Sequence, residues 1–141
     1  CLEGAKLLSS TVKGLEAGTI TPKKQPEEGA NYAPILTKEM GKLDFTKSAD
    51  ELDCLIRGFN PWPLTYFFYN ERRFKLISAQ KVCISGHKCG EYFEKDGQPF
   101  IACGEGTALK ITEICPDGSK KMDSKAFING RFITVGDTVN N

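Results

Sequence analysis

Ser48-Ala49-Asp50-Glu51-Leu52-Asp53-Cys54-Leu55-Ile56-Arg57-Gly58-Phe59, then Asn60-Pro61-Trp62-Pro63, then Thr65-Tyr66-Phe67-Phe68-Tyr69 is the stretch that decides the fold. Ser48 and Glu51 have the Ser-x-x-Glu spacing of a capping box, in which two side chains satisfy backbone N–H groups that a first helical turn leaves unpaired. Ala49, Leu52, Leu55, Ile56 and Phe59 recur at helical spacing, so the predicted helix has one apolar face. Pro61 has no N–H and biases Asn60 away from the helical region, which stops the helix there. Trp62, held between two prolines, falls on a rigid turn. Beyond it the residues become aromatic and branched, and 65–69 is a predicted strand.

Downstream, Asn70-Glu71 reads as a turn and 74–82 as the returning strand, with Leu76 and Ile77 inside it. Further short strands are predicted at 91–93, 99–102 and 108–114. In the last, Leu109 and Ile111 alternate with Lys110 and Thr112, as in a strand with one buried face. Pro116-Asp117-Gly118 is a turn, Asp123 caps a short helix through Phe127 and Ile128, and Gly130 ends it. Upstream, Ala5, Leu8, Val12 and Leu15 mark an amphipathic helix that ends at Gly18 and has no local partner. Residues 19–29 are polar and punctuated by Pro22 and Pro26, an extended linker. Residues 31–36 are expected to be strand-like despite Pro34, with a polar turn at 38–42. The fold class is therefore α+β, mainly β: one capped helix followed by five or six short strands curled into a small open barrel.

With 141 residues there is room for one domain with its own core plus extra sequence. An apolar fraction of 40% and a charged fraction of 26% exclude a disordered chain and a fibrous repeat. No apolar run approaches the roughly 18 residues that span a bilayer, and the N-terminus lacks the pattern of a signal peptide, so no membrane partner and a cytosolic address are expected. Cys1, Cys54, Cys83, Cys89, Cys103 and Cys115 are scattered, which points to free thiols, with Cys83 a buried one near a strand end. Net charge is only +1, yet residues 72–88 hold Arg72, Arg73, Lys75, Lys81 and Lys88 with no acid. A second basic stretch carries Lys120, Lys121, Lys125 and Arg131 against Asp123. Should the two stretches meet in space, they make one positive face; otherwise they are ordinary solvated charges. Arg72 and Arg73 lie at a turn, where sequence does not define which way they face.

Nucleophilic catalysis needs a nucleophile, a base and an orienting group, and the chain has a single histidine, His87, with no sequence partner, so it reads as a surface residue. Cys83, His87, Cys89 and Cys103 lack the paired Cys-x-x-Cys knuckles of structural zinc sites, and no metal is expected. Gly104-Glu105-Gly106 precedes a strand rather than opening a helix, so it is a turn and not a phosphate cradle. Glu91 and Glu94 would need a buried pocket to act as acid and base. The chain thus carries no complete active site and reads as a binding module.

The residues Tyr32-Ala33-Pro34-Ile35-Leu36-Thr37-Lys38-Glu39, Gly41-Lys42-Leu43-Asp44-Phe45, Ser48-Ala49-Asp50-Glu51-Leu52 and Ile56-Arg57-Gly58-Phe59-Asn60-Pro61-Trp62-Pro63 carry a resemblance, in order and spacing. Together they resemble the junction and C-terminal domain of bacterial methionyl-tRNA formyltransferase. Gly4-Ala5-Lys6-Leu7-Leu8 and Leu15-Glu16-Ala17-Gly18 look like the last helix of that family's catalytic domain. Phe74-Lys75-Leu76, Gly104-Glu105-Gly106, Lys120-Lys121-Met122 and Phe127-Ile128-Asn129-Gly130-Arg131 look like its C-terminal domain, so the resemblance covers nearly the whole chain. It departs at 83–97, where Lys88-Cys89-Gly90-Glu91 stands in place of a proline-glycine loop.

The resemblance implies a domain order of 1–18 as the terminal helix of a catalytic domain otherwise missing here, 19–38 as linker and 39–141 as a barrel related to the oligonucleotide-binding fold. It implies that the formyl-transfer Asn, His and Asp, and the 10-formyltetrahydrofolate co-substrate, belong upstream, so the chain should bind no cofactor and be inactive alone. The expected partners are initiator methionyl-tRNA and the chain's own N-terminal catalytic domain, in a monomer. Lys23, Lys24, Lys75, Lys81, Lys88, Lys120, Lys121, Lys125 and Arg131 are the candidates for following tRNA phosphates. Arg57, Asn60, Pro61, Trp62 and Pro63 read as a structural motif, Arg57 paired with a carboxylate and Trp62 packed against the barrel. Two other readings remain: a domain that mainly braces the catalytic domain, or an accessory domain of a formyltetrahydrofolate hydrolase or sugar-nucleotide formyltransferase.

Overall fold

In the computed structural model, which describes residues 2–140, the chain divides into a unit Cys1–Pro34 and a unit Ile35–Asn141. The first holds helix α1, Leu2–Glu16, none of whose residues is buried. Its C-terminus is closed by Gly18, at φ +67°, and by Thr19, whose N–H and hydroxyl both donate to the Gly14 carbonyl. Residues 31–36 form no strand, contrary to the expectation. Pro34 removes a ladder donor and, among the described residues, no strand pairs with this stretch, which is largely exposed.

The second unit opens with a 3-10 turn at Glu39–Gly41 and helix α2, Ala49–Gly58. The capping box at its start is complete: the Glu51 N–H donates to Ser48 Oγ at 3.4 Å and the Ser48 N–H donates to Glu51 Oε2 at 3.2 Å. Six strands follow: β1 Thr65–Tyr69, β2 Arg72–Cys83, β3 Tyr92–Lys95, β4 Gln98–Ala102, β5 Thr107–Pro116 and β6 Met122–Asp123. Helix α3, Ser124–Asn129, is capped by Asp123, which accepts from the Ala126 N–H at 2.8 Å.

All strand pairs are antiparallel, in the order β1-β2-β5-β4-β3, with β6 on β5. β1 and β3 do not pair, so the sheet is an open, barrel-like one. Residues 136–140 lie across that opening. Gly136 and Val139 donate to Tyr92 and Gly90 on the β3 side, while the Asn140 N–H donates to the Phe68 carbonyl of β1 at 2.7 Å. The Asn140 side chain accepts from the Phe68 N–H and donates to the Leu43 carbonyl, a contact spanning 97 residues.

Period-2 alternation sends Phe67, Phe74, Leu76, Tyr92, Ile101, Leu109 and Ile111 inward, and the register shift between β2 and β5 brings Ile114 in as well; they meet Leu52 and Ile56 of α2 and Phe127 of α3. Phe67 stacks on Phe74 with ring centroids 5.4 Å apart. Two glycines are required by close approach: a Cβ at Gly41 would collide with the Leu64 carbonyl, and one at Gly104 with the Thr46 carbonyl.

Candidate nucleic-acid interface

The register of the β1–β2 hairpin sorts its residues. Tyr66 faces Lys75 and Phe68 faces Arg73 across the strands, alternating with the Phe67–Phe74 pair that enters the core. Tyr66, Phe68, Arg73 and Lys75 therefore share the outer face. The Tyr66 and Phe68 rings are half-buried and meet edge to face at 5.6 Å. The Arg73 guanidinium lies 5.7 Å from the Tyr66 ring and Lys42 Nζ 6.0 Å from the Phe68 ring, within cation–π range. Neighbouring Arg72 points the other way. Its guanidinium lies over Phe74 and Phe132 and donates to the Asp117 carbonyl and Ser119 hydroxyl, so it pins the turn.

Arg73 and Lys75 share one carboxylate, that of Asp117, at 3.0 and 3.6 Å. Two cations against one acid leave positive charge over. Lys120 follows Ser119 in sequence, next to this turn, while Lys121 and Arg131 of the second basic stretch lie elsewhere, so the stretches do not gather as a whole onto one face. Lys23, Lys88, Lys120, Lys125 and Arg131 have no acid within ion-pair distance among the described residues, whereas Lys24 pairs with Glu27 and Lys121 with Glu113. Lys81 lies apart, on the side of β2 that faces α2, and pairs with Asp50 in the first turn of that helix. Arg131 lines a separate cleft with Glu94, Ile128 and Thr134.

The Asn60-Pro61-Trp62-Pro63 motif connects α2 to this face. Asn60 Nδ2 donates to the Ile77 carbonyl, anchoring the turn to β2, and Arg57 pairs with Asp53 at 2.9 Å. Trp62 is not packed against the barrel as expected: it is 54% exposed. With prolines on both sides, the indole is carried on the outside of the turn. There it borders a cleft of about 230 Å³ with Lys38, Pro61, Pro63, Leu64, Tyr66, Arg73 and Lys75.

Other candidates have structural roles. His87 stacks on Phe93 at 3.8 Å, and its Nδ1 lies 2.9 Å from Glu91 Oε1. That bond, with the Lys88 N–H, holds the Glu91 carboxyl below its usual range. Cys83 is exposed, not buried, because it ends β2 where the ladder stops. Cys103 is the buried thiol, and burial pushes it up to about 12. Among the described residues no group of three His, Cys, Asp or Glu side chains is placed to hold a metal, and no helix is long and apolar enough to cross a membrane.

Tyr66, Phe68, Lys38 and Lys42 escaped the sequence reading. In a run of four aromatics between Thr65 and Asn70, alternation says that two faces exist but not which one is buried.

Residues 35–131 match the formyl transferase, C-terminal domain, and the chain belongs to that family. Its relatives include the methionyl-tRNA formyltransferases of Bacillus subtilis, 41% identical over 139 residues, and of Lachnospira eligens, 41% identical over 140 residues. These alignments cover 96% and 94% of this chain but 44% of each relative, so the chain spans less than half the length of the proteins it matches. Among solved structures, HypX from Aquifex aeolicus in complex with tetrahydrofolic acid has a similar fold. Its TM-score is 0.60 at 18% identity, over 92% of this chain and 23% of HypX.

Proposed function

We propose that this chain is the tRNA-binding module of a cytoplasmic, monomeric methionyl-tRNA formyltransferase, holding initiator methionyl-tRNA so that its acceptor end is presented for N-formylation. The observation that carries the reading is the outer face of the β1–β2 hairpin, where Lys42, Arg73 and Lys75 are interleaved with Tyr66 and Phe68. Lysine and arginine neutralise phosphates and release their counterions, and exposed rings offer surfaces on which bases stack. Such contacts hold and orient an RNA with little sequence readout. Lys120, one residue from the Pro116–Ser119 turn, extends the same track. Lys23 and Lys24 of the first unit are candidate additional contacts.

In this reading the formyl donor, 10-formyltetrahydrofolate, and the catalytic side chains belong to a domain upstream, and the module supplies no proton transfer of its own. The exposed apolar residues of α1, Leu7, Leu8, Val12 and Leu15, fit a helix whose partner is that domain. The test is to titrate tRNA into the chain at several salt concentrations. Binding should weaken steeply with salt, and Lys75→Ala and Arg73→Ala should each flatten the log–log slope by about 0.7–0.9. Absence of tRNA binding at low salt would leave only a bracing role.

A further inference from the structure

The cleft beside Trp62 adds apolar rings to the cations of the β1–β2 outer face. Its lining includes the Trp62 indole, the rings of Pro61, Pro63 and Tyr66, and Leu64. Three cations, Lys38, Arg73 and Lys75, also line it, against the Asp117 carboxylate that the last two share. Lys38 has no acid within ion-pair distance among the described residues. At about 230 Å³ the cleft lies below the roughly 300–1,000 Å³ of small-molecule sites and suits one planar ring system.

The placement of Trp62 is the second observation. A large aromatic left 54% exposed in a domain that buries Phe67, Phe74, Phe127 and Tyr92 almost completely is not serving the core. The turn that carries it is anchored from behind by the Asn60–Ile77 bond, and a proline on either side fixes φ at two of its four residues. An indole held this way loses little freedom when a second ring stacks on it, which is the condition under which stacking contributes most.

We propose that Trp62 and its cleft form a subsite for a single unstacked nucleobase, with Lys38, Arg73 and Lys75 holding the phosphates on either side. The inference rests on the RNA-binding reading above and goes beyond it, because it assigns a base rather than the backbone to one defined place. The ligand class is single-stranded or looped RNA, since a base within a duplex has no free face to offer. Stacking accepts any base, so the subsite reads the availability of an unpaired base and not its identity.

Trp62 is the only tryptophan in the chain, so its fluorescence reports on this cleft and no other place. The probes are a hexameric oligoadenylate and an abasic ribose-phosphate oligomer of the same length, each titrated into the chain at low salt. The oligoadenylate should quench Trp62 emission saturably, and the abasic oligomer should bind more weakly without that quenching. By anisotropy of labelled oligoadenylate, Trp62→Ala should bind about tenfold more weakly than the parent and Trp62→Phe should recover most of the loss. The salt slope should not change in either variant, whereas Lys75→Ala lowers it. Thermal melting of both variants checks that the fold is intact. Unquenched binding of oligoadenylate, or equal affinity in Trp62→Ala, would overturn the base subsite while leaving the tRNA-binding reading standing. Failure of both oligomers and of tRNA to bind would remove that reading and the subsite with it.

Discussion

Two hairpins of the same sheet carry aromatic pairs on its outer face, and they are treated in opposite ways. On β3–β4, Phe93 and Phe100 stack at 5.2 Å and join Ala102 and Ala108 in a second apolar cluster. His87 lies flat on Phe93 and Ile84 packs alongside, so both phenylalanines are buried. On β1–β2, Tyr66 and Phe68 have no such cover; cations lie over them instead. A loop that closes over rings turns them into core, and a ring left open beside Lys and Arg is available to a ligand. Residue type is the same in both places, and what differs is the neighbouring segment.

The largest expected effect comes from exchanging these two fates. Phe100→Ala should cost about 3–5 kcal/mol of stability in urea unfolding, since it opens a cavity in a sealed cluster. Phe68→Ala should cost only about 1 kcal/mol, because half of that ring is already in water, and should weaken tRNA binding instead. Equal destabilisation by the two would show that the β1–β2 face is as much a part of the core as the β3–β4 face.

Asn140 sets the next effect, because it joins the last residues of the barrel to β1 and to Leu43. Asn140→Gly keeps a backbone able to adopt the observed φ of +65°. It leaves the Phe68 N–H and the Leu43 carbonyl without side-chain partners, at a cost of about 1–3 kcal/mol. Amide hydrogen exchange should quicken at Phe68 and stay unchanged at β4 and β5. Protection lost uniformly would mean that the opening between β1 and β3 closes by other contacts.

The smallest effect is one of pH. The His87 contact, followed by the Lys88 N–H, lowers the Glu91 pKa from 4.5. A carboxylate with a depressed folded pKa contributes stability that is present above its unfolded value and lost as pH falls through the folded one. Pinning of the 84–91 loop should therefore hold at neutral pH, weaken below about 4.5 and vanish once Glu91 is protonated. Loop amide signals followed by NMR would show this, and Glu91→Gln should remove the dependence. The Glu91 side chain is partly covered but its His87 contact lies at the surface, where solvent screens it, so global stability should move little.

Much of the local structure was legible in the sequence. The Ser48–Glu51 cap, the stop at Asn60-Pro61, the strand at Thr65–Tyr69 and the Asp123-capped helix stand where spacing and turn chemistry put them. The strand expected at 31–36 failed because an apolar tint without a partner strand does not make a ladder. Trp62 failed in a more instructive way, since burial of a tryptophan is a statement about what lies opposite it, and here the cleft leaves the residue 54% exposed.

What the sequence determined by itself are features settled within a few residues: caps, stops, turns and the period of alternation. Their energetics are local and need no distant partner. Which face Arg72 and Arg73 take, that Lys81 is held by Asp50, and that Arg73 and Lys75 share Asp117 were decided by the tertiary structure alone. These depend on strand register and on contacts 31 to 45 residues apart, such as Lys81–Asp50 and Arg72–Asp117. A one-residue shift of register would reverse every outward side chain of the β1–β2 hairpin while leaving the sequence pattern unchanged.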